Sequence, residues 1–98
     1  MEERPIEKLM EEIRPHIEKI HATPHKAVVA VSGAGTQAVA WLLGVAGASR
    51  TILEALVPYG RESMRAFLGF EPKQSASAQT AKDMSESAYK QAKLQLED

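Results

Sequence analysis

The sequence predicts an α/β protein in which parallel strands are layered with helices. Two short apolar runs, residues 27–31 and 51–57, contain small and β-branched residues and are typical of strands buried in a parallel sheet. A helix-forming segment follows each run, and an amphipathic segment precedes the first. Two strands are too few for a normal sheet, so we expect either a piece of a larger α/β domain or edges that another copy completes.

The bulk composition excludes several classes of function. The 12 basic and 13 acidic residues nearly cancel and form no basic stripe with aromatic residues, so we expect neither a nucleic-acid partner nor an anionic membrane partner. The 98 residues contain no cysteine, which rules out a disulfide framework. The charged amino-terminal segment is unlike a signal peptide. We therefore expect a cytoplasmic protein.

The amino-terminal segment is predicted to be an amphipathic helix. Apolar residues recur every three or four positions up to Ile20, and Pro15 should kink this helix or divide it into two. The division that we expect is a helical segment over residues 1–25 and an α/β domain over residues 26–98.

The three histidines of this segment are candidates for metal ligands. They are His16, His21 and His25. Their spacing does not place all three on one helical face, and no cysteine or acidic cluster accompanies them. We interpret them as solvated side chains and predict no metal and no cofactor.

A second helix is predicted from about residue 35 or 36 to residue 43, and Gly44 should end it. Its inward residues should be Val39, Leu42 and Leu43. Trp41 points to the other side and is a candidate for a contact between subunits, which fits a homo-oligomer. The residues that follow, 44–50, are predicted to be a loop.

Two further helices follow the second strand. A short one is predicted over residues 61–68, ended by Gly69. Ser77 should cap the last helix, which reaches about Leu96. Its buried stripe is expected to consist of small residues and one methionine: Ala81, Met84, Ala88 and Ala92.

The turn between the first strand and the second helix has the pattern of a phosphate-binding loop. Residues 33–38, "GAGTQA", satisfy G-x-G-x-x-[GA], and Glu54 follows at the spacing that a dinucleotide site requires. However, Leu56 and Val57 continue the apolar run beyond Glu54, which places it inside a strand. A dinucleotide site and a simple glycine turn are therefore both open.

Two polar residues follow the two predicted strands. Ser32 comes after the first strand and Tyr59 after the second. The carboxyl ends of neighbouring parallel strands lie at one edge of a sheet, where α/β proteins place their chemistry. The alternatives are that Ser32 caps a helix and that Tyr59 packs on Pro58 at the surface.

The order of these features resembles the carboxyl-terminal domain of the CinA (competence-damage-inducible protein) family. The resemblance covers about residues 27–93 and is especially close to the eukaryotic CinA-like branch in "GASRTILEALVPY". The matching pieces are Ser32-Gly33-Ala34-Gly35, Val45-Ala46-Gly47-Ala48-Ser49 and Val57-Pro58-Tyr59. The resemblance implies a layered α/β domain of CinA carboxyl-terminal type, present as its first half only.

The resemblance also implies an activity. That activity is hydrolysis of the amide of nicotinamide mononucleotide to ammonia and nicotinate mononucleotide, without a cofactor. Ser32 matches the catalytic serine and Tyr59 the catalytic tyrosine of the family. The substrate would lie beside the turn and Arg61. The substrate-binding residues are therefore expected to be Gly33, Ala34, Gly35, Thr36 and Arg61.

Two departures from the family leave a second function open. Met64 occupies the position of a family lysine, and an arginine nearby is a poor proton acceptor. The later glycine-rich loop of the family has no counterpart in these residues. The alternative is a non-catalytic oligomerising or nucleotide-binding module.

Overall fold

The computed structural model describes residues 5–74 and 76–97 of the chain. Five helices and two strands follow one another in this order: α1 (Pro5–His21), β1 (Ala27–Ala30), α2 (Thr36–Gly44), α3 (Ala48–Thr51), β2 (Ile52–Leu56), α4 (Arg61–Leu68) and α5 (Ala78–Leu96). The two strands pair in parallel. The predicted α/β class with parallel strands and helices is confirmed.

The amino-terminal segment is one helix. α1 continues through Pro15, so of the two alternatives for this segment, a kinked helix or two short helices, the second is wrong. Pro15 is exposed, as is Glu11, whose carbonyl loses the helical hydrogen bond that a proline cannot donate. α1 packs against α2 and α3. None of the helices in the described part of the chain is long and apolar enough to cross a membrane.

The sheet consists of β1 and β2 with a defined register. Val28 lies opposite Glu54 and Ala30 opposite Leu56. Beyond the end of β1, Val31 donates its N–H to the Leu56 carbonyl at 3.0 Å. The N–H and C=O groups of alternate residues point to opposite sides of a strand. Val29, like Val31, therefore faces β2, and Val28 and Ala30 face away from it.

The strands are less buried than expected. The residues of β1 and β2 are half-buried, except for Ala27, which is exposed. The prediction of a fully buried strand is wrong, because every residue of β1 keeps part of its surface accessible. In the described residues β1 has a neighbouring strand on only one side, so its other edge is open.

The helices lie on both faces of the sheet. On one face α4 and α5 form the main core, in which Met64, Leu68 and Met84 are buried with Ala30 against them. On the other face the start of α2 lies close to β1, since a Cβ on Gly35 would come within 2.9 Å of the Val31 Cγ1 atom. The arrangement is a three-layer α/β/α unit.

Helix α5 follows its prediction closely. Its cap is Ser77, whose side chain accepts a hydrogen bond from the Thr80 N–H at 3.1 Å. Met84, Ala88 and Ala92 are buried as expected. Ala81 is exposed, which corrects the predicted stripe, and Thr80 is buried in its place.

Helix α2 departs from its prediction. Leu43, expected to point inward, is 52% exposed, whereas Val39 and Leu42 are half-buried. Trp41 is also half-buried, and its Nε1–H is enclosed with no hydrogen-bond partner among the described residues. The predicted loop after α2 contains a further helix, α3.

Candidate functional site

Ser32 and Tyr59 come together at the carboxyl edge of the sheet. Both line one cavity of about 510 Å³, and Arg61 lines it as well. The remaining lining residues are Met64, Glu71, Pro72 and Ala76. The parallel pairing of β1 and β2 produces this arrangement, because the chain leaves both strands at the same edge.

The turn after β1 brings the backbone close to the tyrosine ring. Gly33 has a φ of 123°, a backbone conformation that residues other than glycine rarely adopt. A Cβ on Gly33 would lie 3.5 Å from the Cε1 atom of Tyr59, so the ring covers this turn. Pro58 is buried and anchors the loop, while Tyr59 is 78% exposed. No hydrogen bond joins the Ser32 and Tyr59 hydroxyls in the described part of the chain.

Two helices begin at this same edge. The N-cap residues of α2 and α4 are Gly35 and Gly60, and neither start has a capping side chain from the described residues. Uncapped helix starts carry a partial positive charge and leave N–H groups free, although at the start of α2 the N–H groups of Thr36 and Ala38 already donate to the Gly33 and Gly35 carbonyls. The edge therefore suits an anionic ligand group, such as a phosphate or a developing oxyanion.

Arg61 is paired at the rim of the cavity. Its Nε donates to the Glu71 Oε1 atom at 2.5 Å. This hydrogen bond, donated by Arg61 and accepted by Glu71, raises the pKa of Arg61 and lowers the pKa of the Glu71 carboxyl. An anionic ligand that approaches Arg61 must therefore compete with the Glu71 carboxylate, which is already paired with the guanidinium.

The other predicted substrate-binding residues lie apart from this cavity. Ala34 and Gly35 line a neighbouring groove of about 630 Å³, and Ser32 lines both spaces. Thr36 lines neither of them. Gly33 does not line the cavity itself but lies directly beneath the Tyr59 ring, which does. The structure thus groups Ser32, Tyr59 and Arg61, with the rest of the turn on the other side of Ser32.

The histidines of the described chain do not line the cavity that contains Ser32. His16 and His25 are exposed, as expected. The prediction that His21 is solvated is wrong, because its side chain is 1% exposed and lies at the amino edge of the sheet. Its Nδ1 is 2.5 Å from the Thr51 Oγ1 atom, and its Nε2 is 2.8 Å from the Leu42 carbonyl oxygen.

Two residues limit the reactions and ligands that this edge of the sheet can support. Met64 is buried in the core and contributes no titratable group to the cavity that it lines. Glu54 lies in the middle of β2, where its Oε1 accepts a hydrogen bond from Gln95 at 2.9 Å. It is therefore not at a strand tip, where a dinucleotide site needs its acidic residue.

The sequence did not predict one residue that lines the cavity, Glu71. Glu71 follows Arg61 by ten residues, beyond the end of α4, and no local pattern links the two. The only signal was its position before Pro72, which places it in a turn rather than a helix.

These features define a class of protein: an α/β unit with parallel strands whose polar residues gather at the carboxyl edge of the sheet. A solved structure of this class is similar to the chain, namely the competence/damage inducible protein CihA from Agrobacterium tumefaciens, with 26% sequence identity and a TM-score of 0.66. The match covers 93% of this chain and 58% of that one. The chain therefore has a CinA-like α/β fold and spans less than two thirds of the length of this neighbour.

Comparisons with protein families and with curated proteins give no match.

Proposed function

We propose that this CinA-like domain is an amidase of nicotinamide mononucleotide, which releases ammonia and nicotinate mononucleotide. The observation that carries the proposal is that Ser32, Tyr59 and Arg61 line one cavity at the carboxyl edge of the sheet. Ser32 would supply the nucleophile and Tyr59 the proton-transfer group of this hydrolysis, and Arg61 would supply a cation that binds the phosphate of the substrate.

The reaction proceeds in two steps in this proposal. The Ser32 Oγ attacks the amide carbon, and its proton passes through Tyr59 to the leaving nitrogen, so that the C–N bond breaks and ammonia departs. Water then hydrolyses the serine ester, which restores Ser32 and gives the carboxylate. The N–H groups at the start of α4, which has no capping side chain, stabilise the oxyanion or bind the phosphate.

Tyr59 and Arg61 have distinct roles in this proposal. The exposed phenol of Tyr59 is accessible to a bound ligand, and its ring covers the turn next to Ser32. Arg61 cannot act as a base, because a guanidinium stays protonated at neutral pH, so its role is to bind the phosphate.

A second candidate is a domain that binds the nucleotide without turnover. The observation that favours it is Met64, which is buried in the core at the position where the family has a lysine. Such a domain keeps the anion-binding edge but lacks a group that would activate Ser32.

Ammonia release from nicotinamide mononucleotide separates the two candidates. We expect turnover by the wild type and background rates for Ser32→Ala, while Ser63→Ala, an exposed serine of α4, should match the wild type. Background rates for all three proteins contradict the amidase. In that case a rise in Tm on addition of the nucleotide, smaller in Arg61→Ala, supports the binding domain.

We further propose a cytoplasmic location and a place in the eukaryotic CinA-like branch. Both rest on the sequence: the first on the absence of cysteine in these 98 residues, the second on the stretch "GASRTILEALVPY". Immunofluorescence of the tagged protein tests the location.

A further inference from the structure

A second polar cavity lies where α1 meets the connection between α2 and α3. It has a volume of about 530 Å³ and shares no lining residue with the cavity that contains Ser32. Its lining residues come from α1, from the end of α2 and from the start of the next segment: Arg14, Glu18, Gly44, Val45, Ala46 and Arg50. Two guanidiniums and one carboxylate therefore border this arginine cavity, which has a net positive charge.

The two guanidiniums of the arginine cavity are unpaired. Within the described part of the chain, neither Arg14 nor Arg50 forms an ion pair or a side-chain hydrogen bond. Glu18 lies one helical turn beyond Arg14 and borders the same cavity, but it pairs with neither arginine. Unpaired guanidiniums keep their N–H donors available, and their planar geometry suits the oxygen atoms of a phosphate group.

The backbone gives the Arg50 guanidinium its position. A Cβ on Gly47 would lie 2.8 Å from the Arg50 Nη2 atom, so a side chain at residue 47 would displace the guanidinium. The carbonyl of Arg50 also accepts a hydrogen bond from the Lys26 Nζ atom. The guanidinium therefore lies against a residue without a side chain, and its own backbone is held by a neighbouring lysine.

The connection after α2 adds backbone donors to the same cavity. α2 ends at Gly44, and in the described residues the N–H groups of Val45 and Ala46 form no hydrogen bond. The arginines do not cap α2, since in this part of the structure neither of them donates to its last carbonyls. Backbone N–H groups together with guanidiniums are the donors by which proteins bind phosphate oxygens.

The charge around the arginine cavity favours a small molecule over a long polyanion. A nucleic acid or an anionic membrane requires an extended basic surface, whereas the 12 basic and 13 acidic residues of this chain nearly cancel. Glu18 also interrupts the positive charge at the cavity itself. The volume of about 530 Å³ lies in the range of small-molecule sites and exceeds what a phosphate alone would fill.

We propose that the arginine cavity binds a small phosphorylated polyol or sugar, with the phosphate between Arg14 and Arg50. The N–H groups of Val45 and Ala46 supply further donors to the phosphate. Glu18 accepts hydrogen bonds from the hydroxyl groups of the ligand. Because Arg14 belongs to α1 and Arg50 to α3, the bound phosphate joins these two helices. This inference does not depend on the amidase.

A site-resolved NMR titration tests the proposal. The probe is ribose 5-phosphate added to the full chain, and ribose is the control without a phosphate. We expect the amide signals of Val45 and Ala46 to shift with a Kd of about 1 mM or lower for ribose 5-phosphate and to stay unchanged with ribose. Phosphate binding at the carboxyl edge is distinguished by Arg61→Ala, which should leave the shifts of Val45 and Ala46 unaffected.

Charge variants at exposed positions locate the binding. Arg14→Gln and Arg50→Gln should each weaken the response of Val45 and Ala46 about tenfold. Lys19→Gln is the matched control, because it removes the same charge from an exposed position of α1 outside the cavity. It should change the affinity by less than about twofold.

Glu18→Ala tests the recognition of hydroxyl groups. Removal of this carboxylate should raise the affinity for inorganic phosphate, because a like charge is lost. The preference for ribose 5-phosphate over inorganic phosphate should fall, because the acceptor for the sugar hydroxyls is lost. An undiminished preference would overturn the assignment of the ligand class.

Three further results would overturn the proposal. The first is the absence of any shift at Val45 and Ala46 with about 20 mM ribose 5-phosphate. The second is an equal loss of affinity in Arg14→Gln and Lys19→Gln, which would show unspecific attraction by the charge of α1. The third is tighter binding of a single-stranded oligonucleotide than of ribose 5-phosphate at this cavity, which would assign it to a nucleic acid.

Discussion

The two ends of the sheet differ in how their polar groups are used. At the amino edge, His21 is enclosed and both of its ring nitrogens have partners, Thr51 and the Leu42 carbonyl. At the carboxyl edge, Ser32 and Tyr59 are exposed, and no hydrogen bond joins their hydroxyls within the described residues. Satisfied and buried groups stabilise a fold, whereas accessible ones with free hydrogen-bonding capacity bind ligands. We therefore expect the amino edge to stabilise the fold and the carboxyl edge to bind the ligand of the proposed function.

The largest expected effect is at the amino edge. His21→Ala removes the group that joins α1 to α2 and α3 and leaves the Leu42 carbonyl and the Thr51 hydroxyl without this partner. The free energy of unfolding should fall by about 2–4 kcal/mol, measured by urea denaturation. His16→Ala, an exposed position of the same helix, should change it by less than about 0.5 kcal/mol. Equal losses in the two variants would contradict a structural role specific to His21.

The next largest effect is expected at the turn between β1 and α2, which lies at the carboxyl edge. Gly35→Ala places a Cβ within 2.9 Å of the Val31 Cγ1 atom, so either the Val31 side chain or the start of α2 must move. We expect a loss of about 1–3 kcal/mol in stability, measured by denaturant titration. Gly44→Ala, at the end of the same helix and with nothing within 4 Å, should have no destabilising effect. If both variants are equally stable, close packing does not require Gly35.

The ion pair at the rim should control anion binding. Glu71→Gln frees Arg61, so the affinity for inorganic phosphate, measured by calorimetry, should rise about two- to fivefold. Glu86→Gln is the control, since Glu86 is an exposed carboxylate of α5 that does not line this cavity. An unchanged affinity in Glu71→Gln would show that Glu71 does not compete with the ligand.

The same pair predicts a pH dependence. Arg61 lowers the pKa of Glu71 from its ordinary value of 4.5. The contribution of this ion pair to the stability of the folded state is therefore present at pH values above the unfolded-state pKa of Glu71. It is lost as the pH falls through the lower folded-state pKa of Glu71. Phosphate binding by the wild type should rise in that acidic range relative to Glu71→Gln, in which this carboxyl is absent. If phosphate affinity varies with pH in the same way in the wild type and in Glu71→Gln, Glu71 does not compete with the anion for Arg61.

The smallest effect on stability is expected at the start of α4. Gly60 has extended dihedral angles and open space where a Cβ would lie, which suit a capping residue. Gly60→Asp should stabilise the protein by about 0.3 kcal/mol and weaken phosphate binding, because a carboxylate then occupies the helix start. Gly60→Asn caps without the charge and is the control for binding. Equal phosphate affinity in both variants would show that this helix start does not contact the anion.

Local signals made much of the fold predictable. Gly69 ends α4 with a φ of 86°, and Ser77 caps α5, both as their residue types indicate. Ser32 and Tyr59 could be placed at one edge because parallel pairing leaves no other arrangement. In contrast, α3 has only four residues and no side-chain cap, so it could not be distinguished from a loop.

The remaining features depend on residues distant in the sequence. The burial of His21 is decided by Leu42 and Thr51, which lie 21 and 30 positions further along the chain. The pairing of Arg61 with Glu71 depends on how the chain turns after Gly69. The exposure of Leu43 follows from the position of α2 on the sheet, which helical periodicity alone does not determine.

The attachment of α5 to the first strand has a consequence for the order of folding. β1 and β2 are joined by a connection of 21 residues, from 31 to 51, whereas α5 contacts β1 across a far longer separation in sequence. Closing a longer loop costs more entropy, so local contacts form first. We expect the βαβ unit to form early and α5 to dock late, so that substitutions in α5, such as Ala88→Gly, accelerate unfolding more than they slow folding.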